Sequence, residues 1–484
     1  MNTRVLRFSA HVNGVFLMTL ATVMLLPAIV DLSTDARDAD AFLASAALTA
    51  GIGALLFTAF RKPGFVSIDR RTGYVITVSS WLSVSFFGSL PLVFSSLHPS
   101  LADAMFETVS GLTTTGATAF SGLDAMPPGI LLWRSLLQWI GGVGIVGMAI
   151  AMLPMMRVGG MQLFKLESSD VSGKAFPKVT QLAQAIGTAY VGLTFACTAG
   201  LLMTGMNFFD AINHAMTTIA TGGFSTRDAS VGYYHSVGIE VVLTVFMALS
   251  ALPLIFYAKL LMRGRQAVLE DEQIAGFLKI LAVAILAATA WNVTQGMAPL
   301  RALRESAFNV TSILTDTGFS TTDFSRWGSF AVGLFFLLFF IGGCAGSTAG
   351  AVKIFRWQIL FASARAHLKT ALSPSRVVVL KYQDRIVDAD TLGAVRNFLF
   401  IYLATFVFLS LLVMATGLDF LSSTSAIAQA MANAGPGLGP VVGPASNFGG
   451  VPDVAKWLIM AAMILGRLEL ATVYVVLLPE FWLI

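Results

Sequence analysis

Apolar residues occur in ten long runs separated by polar connections along the 484-residue chain. Most runs approach or exceed the roughly 18 apolar residues that a helix needs to cross a bilayer. We therefore predict membrane spans at 12–30, 42–60, 74–95, 130–155, 181–204, 237–261, 276–297, 329–360, 393–416 and 454–479. The order is two leading spans followed by four pairs, and a segment of comparable length separates the two members of each pair.

Each of these four separating segments contains a short glycine-centred motif, at Ser110–Thr118, Thr217–Thr226, Ile313–Thr321 and Met431–Gly439. A candidate short helix precedes each motif, with predicted starts at Asp103, Asp210, Arg304 and Ser422, and the two aspartates are the expected N-caps. One Thr-Gly in a span is more often a kink or a close helix contact. Four copies at matched spacing instead indicate four membrane–loop–membrane units around one axis.

The four short helices are too short to cross a bilayer at about 1.5 Å per residue. We expect each to enter from the outer side, end at mid-membrane and return as extended chain. Unpaired backbone at that depth is tolerated only where it lines a water-filled cavity. Helix C-terminal ends carry partial negative charge, and carbonyl oxygens can replace the water shell of a cation. The repeats therefore predict a cation pore, to which Thr114, Thr115, Thr221 and Thr317 add hydroxyl oxygens.

Composition supports an integral membrane protein, because 56% of residues are hydrophobic, 12% are charged and the mean hydropathy is +0.79. The two cysteines, Cys197 and Cys344, are far apart in apolar surroundings, which argues against a disulfide framework or a metal cluster. The basic-then-apolar start resembles a signal peptide. However, Val12–Val30 is long for such a segment and Leu26–Val30 is a poor cleavage site, so we predict a retained first span.

Basic residues fall on one side of the predicted spans, which by the positive-inside rule is the cytoplasm. They include Arg4, Arg7, Arg61, Lys62, Arg70, Arg71, Arg157, Lys165, Lys174, Lys178, Lys259, Arg263, Arg265 and the cluster across 353–385. We therefore predict a multi-pass membrane protein with a cytoplasmic N-terminus. The predicted division is 1–72 for the leading helices, followed by repeats at 73–160, 161–265, 266–385 and 386–484.

The four motifs resemble those of the Trk/Ktr/HKT superfamily of potassium transporters, and the two leading helices and the length resemble its TrkH branch. The resemblance covers essentially the whole chain. It implies an all-α membrane fold of four pseudo-symmetric M1–pore loop–M2 repeats around a central pore. It also implies a filter glycine in each repeat, here Gly116, Gly223, Gly318 and Gly435. The residues flanking these glycines complete the expected K⁺ site: Thr114, Thr115, Thr221, Gly222, Asp316, Thr317, Asn433 and Ala434.

In this family a serine at the first filter glycine accompanies sodium permeation, so four glycines imply selectivity for potassium. The fourth motif departs from the threonine-rich pattern, because Asn433 and Ala434 stand where the other repeats carry at least one threonine. The symmetry of the side chains is therefore imperfect. Asp316 has two readings: it tunes the field of the mouth, or it bonds the backbone behind the loop. His214 is expected to pack or to form a hydrogen bond.

A run of small residues interrupts the predicted span 329–360. Each glycine lowers helix stability by about 1 kcal/mol, so this stretch is a candidate break, although a close helix–helix contact is the alternative. The resemblance identifies it as an intramembrane gating loop with Lys353 beside it, and Arg467 as the arginine that constricts the pore below the filter. The predicted gate residues are Gly342, Gly343, Gly346, Ser347, Thr348, Gly350, Lys353 and Arg467.

A central arginine is costly in a membrane and should face a cavity or a partner. A structural salt bridge is the alternative role for Arg467, but Glu469 is a poor partner because residues two apart on a helix do not face each other. The resemblance also implies a homodimer in the lipid bilayer of a bacterial inner membrane and a cytosolic TrkA-like regulatory ring that binds nucleotides. We predict that this chain binds neither nucleotide nor nucleic acid itself.

Two other classes of membrane protein, an enzyme and a secondary transporter, fit the sequence less well than a pore. An intramembrane enzyme requires a catalytic set inside the spans, and the sequence shows none. A secondary transporter is built from larger repeats that meet at one discontinuous site, which the two-helix unit does not favour. Coupling of the flux to protons or sodium, as in a symporter, stays open at this point.

Overall fold

The computed structural model describes residues 3–61, 70–152, 179–263, 271–373, 375, 378–383 and 385–483. These residues form an almost wholly helical protein, and the one sheet among them is a two-stranded hairpin of β1 (Lys381–Tyr382) and β2 (Arg385–Ile386). The helices are α1 (Thr3–Ser33), α2 (Ala39–Ala59), α3 (Arg70–Val93), α4 (Leu101–Leu112), α5 (Pro128–Met152), α6 (Val179–Met203), α7 (Phe208–Ile219), α8 (Val237–Ser250), α9 (Leu254–Arg263), α10 (Glu272–Thr294), α11 (Pro299–Leu314), α12 (Ser329–Leu338), α13 (Ile354–Leu372), α14 (Ala389–Met414), α15 (Phe420–Ala432), α16 (Asp453–Arg467), α17 (Leu470–Leu477) and α18 (Pro479–Leu483).

Among the described residues, six helices are long and apolar enough to cross a membrane: α1, α2, α3, α6, α10 and α14. They match six of the predicted spans, and the predicted span 130–155 corresponds to α5. Their outer faces carry large exposed apolar side chains, such as Phe195, Leu286 and Phe400. An apolar surface of this extent fits lipid rather than water.

Three predicted spans are broken helices. The predicted span 237–261 is divided between α8 and α9, because Pro253 lacks an N–H donor and disfavours a helical residue before it. The predicted span 329–360 is interrupted between Leu338 and Ile354, as the glycine run suggested. The predicted span 454–479 bends by 112° between α16 and α17, where Glu469 has φ +62°. A single continuous helix was therefore the wrong prediction for the first and third of these.

The four short helices α4, α7, α11 and α15 are present, with lengths of 12, 12, 16 and 13 residues. Asp103 and Asp210 are not their N-caps. Ser100 and Asn207 are the N-caps, and each accepts a hydrogen bond from the backbone N–H of the aspartate three residues later. The third helix starts earlier than Arg304, because Pro299 occupies its first turn, where a missing N–H costs nothing.

Helix packing arranges the repeats as a ring. The short helix α7 packs on α5 of the repeat before it, α11 packs on α8, and α4 of the first repeat packs on α16 of the last. The leading helices α1 and α2 pack on each other, and α1 also contacts α3 and α5. The predicted boundaries at 160/161 and 265/266 lie outside the described residues, and the division into repeats stays a prediction.

Candidate ion pathway

The four glycine motifs share one backbone conformation. Thr114, Thr221, Asp316 and Asn433 are left-handed, with φ of 54°, 51°, 59° and 60°, and the glycine two residues later has φ of 83°, 73°, 91° and 93°. In every motif the N–H just before the glycine donates to the carbonyl five residues back, at 2.8, 2.8, 2.8 and 2.9 Å. The different side chains of the fourth motif therefore leave the backbone turn unchanged.

The four glycines meet around one axis. A Cβ added to Gly116 would lie 2.0 Å from the carbonyl oxygen of Gly222, and one on Gly223 would lie 1.8 Å from that of Thr317. A Cβ on Gly318 would lie 2.5 Å from the carbonyl oxygen of Ala434, and one on Gly435 would lie 3.0 Å from that of Thr115. Each repeat thus contacts the next, and the fourth contacts the first, so the contacts close a ring.

A cavity open to solvent lies against this ring. All four glycines line it, together with the stretches that return from the ring. The cavity therefore forms a vestibule that ends at the glycines.

The other predicted filter residues lie in the same turns. The hydroxyls of Thr115 and Thr317 bond to those of Thr113 and Thr315, at 2.7 and 2.8 Å. The Thr221 hydroxyl donates to the carbonyl of Ala220. The Asn433 amide donates to the Thr115 hydroxyl at 3.0 Å, which ties the fourth repeat to the first. Asn433, in the motif that lacks threonine, therefore links the fourth filter turn to the first.

Asp316 and Thr114 have buried oxygens with no hydrogen-bond partner among the described residues. Asp316 is fully buried, and a Cβ on Gly342 would lie 3.2 Å from its Oδ2. Its carboxylate therefore faces the interrupted helix rather than the vestibule.

That interruption, residues 339–353, crosses from the third repeat to its neighbours. The Cys344 N–H donates to Ala251 O at 2.9 Å, and the Leu254 N–H donates to Gly346 O at 3.0 Å, both in the break between α8 and α9. The Ala351 N–H donates to Ala432 O at 2.9 Å, at the end of α15. The loop therefore contacts the inner ends of the short helices, directly below the ring.

The C-terminal ends of α7 and α15 both contact this loop. Thr348 donates its hydroxyl to Ile219 O at 3.1 Å, at the end of α7. A Cβ on Gly350 would lie 2.0 Å from Ala432 O, so this glycine permits the close approach. These contacts bring Gly342, Gly343, Gly346, Ser347, Thr348 and Gly350 together as one loop under the predicted filter.

Arg467 lies at the end of α16, at the bend rather than midway along a continuous helix. It is buried, and its Nη1 donates to Thr348 O at 2.8 Å, while Nε and Nη2 have no partner among the described residues. Glu469 bonds instead to Arg356, with 2.8 and 2.9 Å from Nη2 to its two oxygens. Lys353 donates to Ala349 O. Arg467 and Lys353 therefore both hold the loop.

Sequence reasoning missed three polar residues behind the ring. Glu107, Arg134 and Gln138 are buried and bond the backbone of the first two motifs. A signal was available, because Arg134 lies inside a predicted span, where a charge is expensive. The expectation for His214 is confirmed, since its ring bonds to Asp210 O at 2.8 Å and to the Ser225 hydroxyl at 3.0 Å.

The ring of re-entrant helices, the loop below it and the lipid-facing spans define a membrane protein of four pore-loop repeats. The family model described as "TrkH: Cation transport protein" matches residues 39–279 and 276–482, and the chain belongs to this family. It is accordingly a multi-pass inner-membrane protein rather than a soluble one.

Named relatives extend over the full length. The chain is 41% identical to the Trk system potassium uptake protein TrkI of Halomonas elongata, over 97% of this chain and 96% of that one. It is 36% identical to the Trk system potassium uptake protein TrkH of Escherichia coli, over 98% and 99% of the two chains. The crystal structure of the potassium transporter TrkH from Vibrio parahaemolyticus superposes with a TM-score of 0.91 at 34% identity and covers both chains completely.

Proposed function

We propose that this protein takes up potassium through the central pore, with the glycine ring as its selectivity filter. The closed ring of four glycine turns carries the proposal. Relatives at 36–41% identity are potassium uptake proteins, which supports K⁺ as the transported ion. These relatives are transporters, which is consistent with the prediction that this chain is not an enzyme.

The filter works by replacing the water around the ion with fixed oxygens. Backbone carbonyls of the four turns supply most of them, and the threonine hydroxyls beside the glycines supply further hard donors. The C-terminal ends of α4, α7, α11 and α15 point at the ring and favour a cation through their partial negative charge.

The loop 339–353 and Arg467 form the gate in this proposal. The loop lies below the ring, so an ion that has passed the filter must pass the loop as well. Arg467 places a positive charge there, and a fixed charge of that sign raises a barrier to cations. The bond from Arg467 to Thr348 couples the charge to the position of the loop.

We further propose that the protein is a homodimer regulated by a cytosolic TrkA-like ring. The helix α13 continues from the loop into the basic segment 365–385, which offers such a ring a point of contact. Nucleotides would act through that ring. The N-terminus lies in the cytoplasm in this arrangement.

Potassium flux into proteoliposomes tests the proposal, measured with and without an imposed pH gradient. We expect K⁺ to be carried in preference to Na⁺ in both conditions. Flux that requires the pH gradient, or a Na⁺ gradient, would favour the alternative of a coupled secondary transporter. An absence of K⁺ flux in folded protein would overturn the proposal.

A further inference from the structure

One equivalent position of the pore helix, or its neighbour in the fourth repeat, carries a side chain that bonds to the chain returning from the filter. It lies nine residues before the glycine and is occupied by Glu107, His214, Asn309 and Ala426. Glu107 accepts from the Ala119 N–H at 2.9 Å, His214 bonds to the Ser225 hydroxyl at 3.0 Å, and Asn309 donates to the Thr321 hydroxyl at 2.9 Å. In the fourth repeat the neighbouring Ser425 takes this role, accepting from the Leu438 N–H at 2.9 Å. The link between pore helix and filter is therefore made by a carboxylate, an imidazole and an amide in the first three repeats, and by a hydroxyl at the neighbouring position in the fourth.

Only the first repeat uses a charge at this position. Glu107 is fully buried and forms an ion pair with Arg134 of α5, at 2.7 Å from Nε to Oε1. The same guanidinium donates from Nη1 to Ser225 O at 2.8 Å and lies over the ring of Phe224, 4.2 Å from its centroid. One ion pair thus contacts the return stretches of both the first and the second filter.

Gln138, one turn further along α5, holds the second filter on the other side. Its Nε2 donates to Gly222 O at 2.7 Å, and its Oε1 accepts from the Phe224 N–H at 3.0 Å. A Cβ on Gly222 would lie 2.4 Å from the Gln138 side chain, which explains a glycine where the other repeats carry Thr115, Thr317 and Ala434. The backbone on both sides of Gly223 is therefore fixed by α5.

We propose that Glu107, Arg134 and Gln138 are positioning residues that set the distance between the first and second filters and thereby the preference for K⁺. This inference rests on the proposed function. Their bonds go to carbonyl and N–H groups within three residues of Gly116 or Gly223, where a small displacement changes the size of the ring. A role in folding alone would not require bonds to the filters of two repeats.

Two variants test whether these residues position the filters or only support the fold. Glu107→Gln/Arg134→Met removes both charges, so no unpaired charge is left buried, but it also removes the bond to Ser225 O. Gln138→Met keeps the volume and removes both filter bonds without touching any charge. Lys456→Met is the control, because it removes another buried cation, paired with Asp103 at 2.6 Å, whose other bonds go to Gly449 O and Asp453 rather than to a residue within three of a filter glycine.

Each variant is reconstituted, and fluxes of K⁺ and Na⁺ are measured in competition. The melting temperature of each folded sample is also compared in K⁺ and in Na⁺, since a bound ion stabilises the folded state. We expect the K⁺ preference of the double variant and of Gln138→Met to fall by roughly tenfold, the effect of about 1.4 kcal/mol. The stabilisation by K⁺ relative to Na⁺ should fall with it, and Lys456→Met should keep both.

The outcomes are distinguishable. If the wild type shows no preference for K⁺, the proposed function itself fails. If the wild type prefers K⁺ and both test variants lose total flux or stability while keeping that preference, the three residues only support the fold and the inference is overturned. A similar loss of preference in Lys456→Met would also overturn it.

Discussion

Each glycine of the proposed filter has a positive φ, and three of them also leave no space for a side chain. The backbone at Gly116, Gly223, Gly318 and Gly435 has positive φ, and at the first three a Cβ would come within 2.5 Å of a carbonyl oxygen in the next repeat. An L side chain is strained in that conformation, and there is no space for it. The sequence indicated that glycine is needed for unusual φ and for close approach of the four backbones. Only the structure shows which carbonyl oxygen each glycine faces.

Replacing Gly116 by serine should raise Na⁺ flux relative to K⁺. The new Cβ would lie 2.0 Å from Gly222 O, so the ring must shift, and the hydroxyl adds a ligand. Competition between the two ions for flux in reconstituted protein measures the change. Gly205→Ser is the control, since Gly205 also has positive φ but has open space around it. Unchanged ion competition in folded Gly116→Ser would contradict the filter assignment.

Replacing Arg467 by alanine should increase K⁺ flux. The change removes a buried positive charge below the filter and the bond that holds Thr348 O. Arg467→Lys keeps the charge and should stay near the wild-type rate. The measurement is K⁺ flux per folded protein. A well-folded Arg467→Ala that loses flux would show that Arg467 supports the structure and is not a barrier.

Side-chain partners were the least predictable feature at this scale. The argument that Glu469 does not pair with Arg467 holds, but its actual partner, Arg356, is 113 residues away in sequence. The same is true of Arg134, whose partners lie in a pore helix and in the filter of another repeat. Sequence spacing can exclude a nearby residue as a hydrogen-bond or ion-pair partner. It cannot identify the actual partner, because that depends on which distant helices pack together.

At the scale of helices, the sequence predicted the four short helices and the interruption of the span 329–360. Both rest on local signals, which are the matched spacing of the motifs and the run of glycines. It missed the break after Ser250 and the bend after Arg467. Both breaks adjoin the loop 339–353: Ala251 and Leu254 bond to it, and so does Arg467. At the first break the backbone of Ala251 and Leu254 bonds the loop, and at the second the side chain of Arg467 does. These contacts to a distant segment cannot be seen in one span alone.

Deleting residues within Gly346–Gly350 should leave the pore open and less dependent on its cytosolic partner. The deletion removes the bond from Leu254 to Gly346 and the bonds that join Thr348 to Ile219, Ser250 and Arg467. A shift of a few kcal/mol between closed and open states is enough to change which one is populated. K⁺ flux is measured with and without the regulatory subunit. Equal partner dependence in wild type and deletion would refute this gating mechanism even if the filter assignment stood.

At the scale of the whole molecule, α13 connects the loop 339–353 to the basic segment 365–385. Its first residue follows the loop directly, and Arg356 in its first turn bonds to Glu469 at the bend of the last span. Its other end carries exposed Arg365 and Lys369 in the basic segment. A force on that end would therefore reach both the loop and the bend that positions Arg467.

The basic segment either attracts anionic lipid or receives the regulatory ring, and neutralising it distinguishes the two. Arg365→Gln, Lys369→Gln and Lys381→Gln, combined in one variant, change exposed side chains that contact neither the filter nor the loop. We expect basal K⁺ flux in liposomes to stay at the wild-type rate, because the pore is untouched, while the response to the regulatory subunit is lost. Parallel measurements in liposomes with and without anionic lipid isolate the contribution of the membrane. A variant that responds fully to the subunit but no longer responds to anionic lipid would assign the segment to lipid and place the docking surface elsewhere.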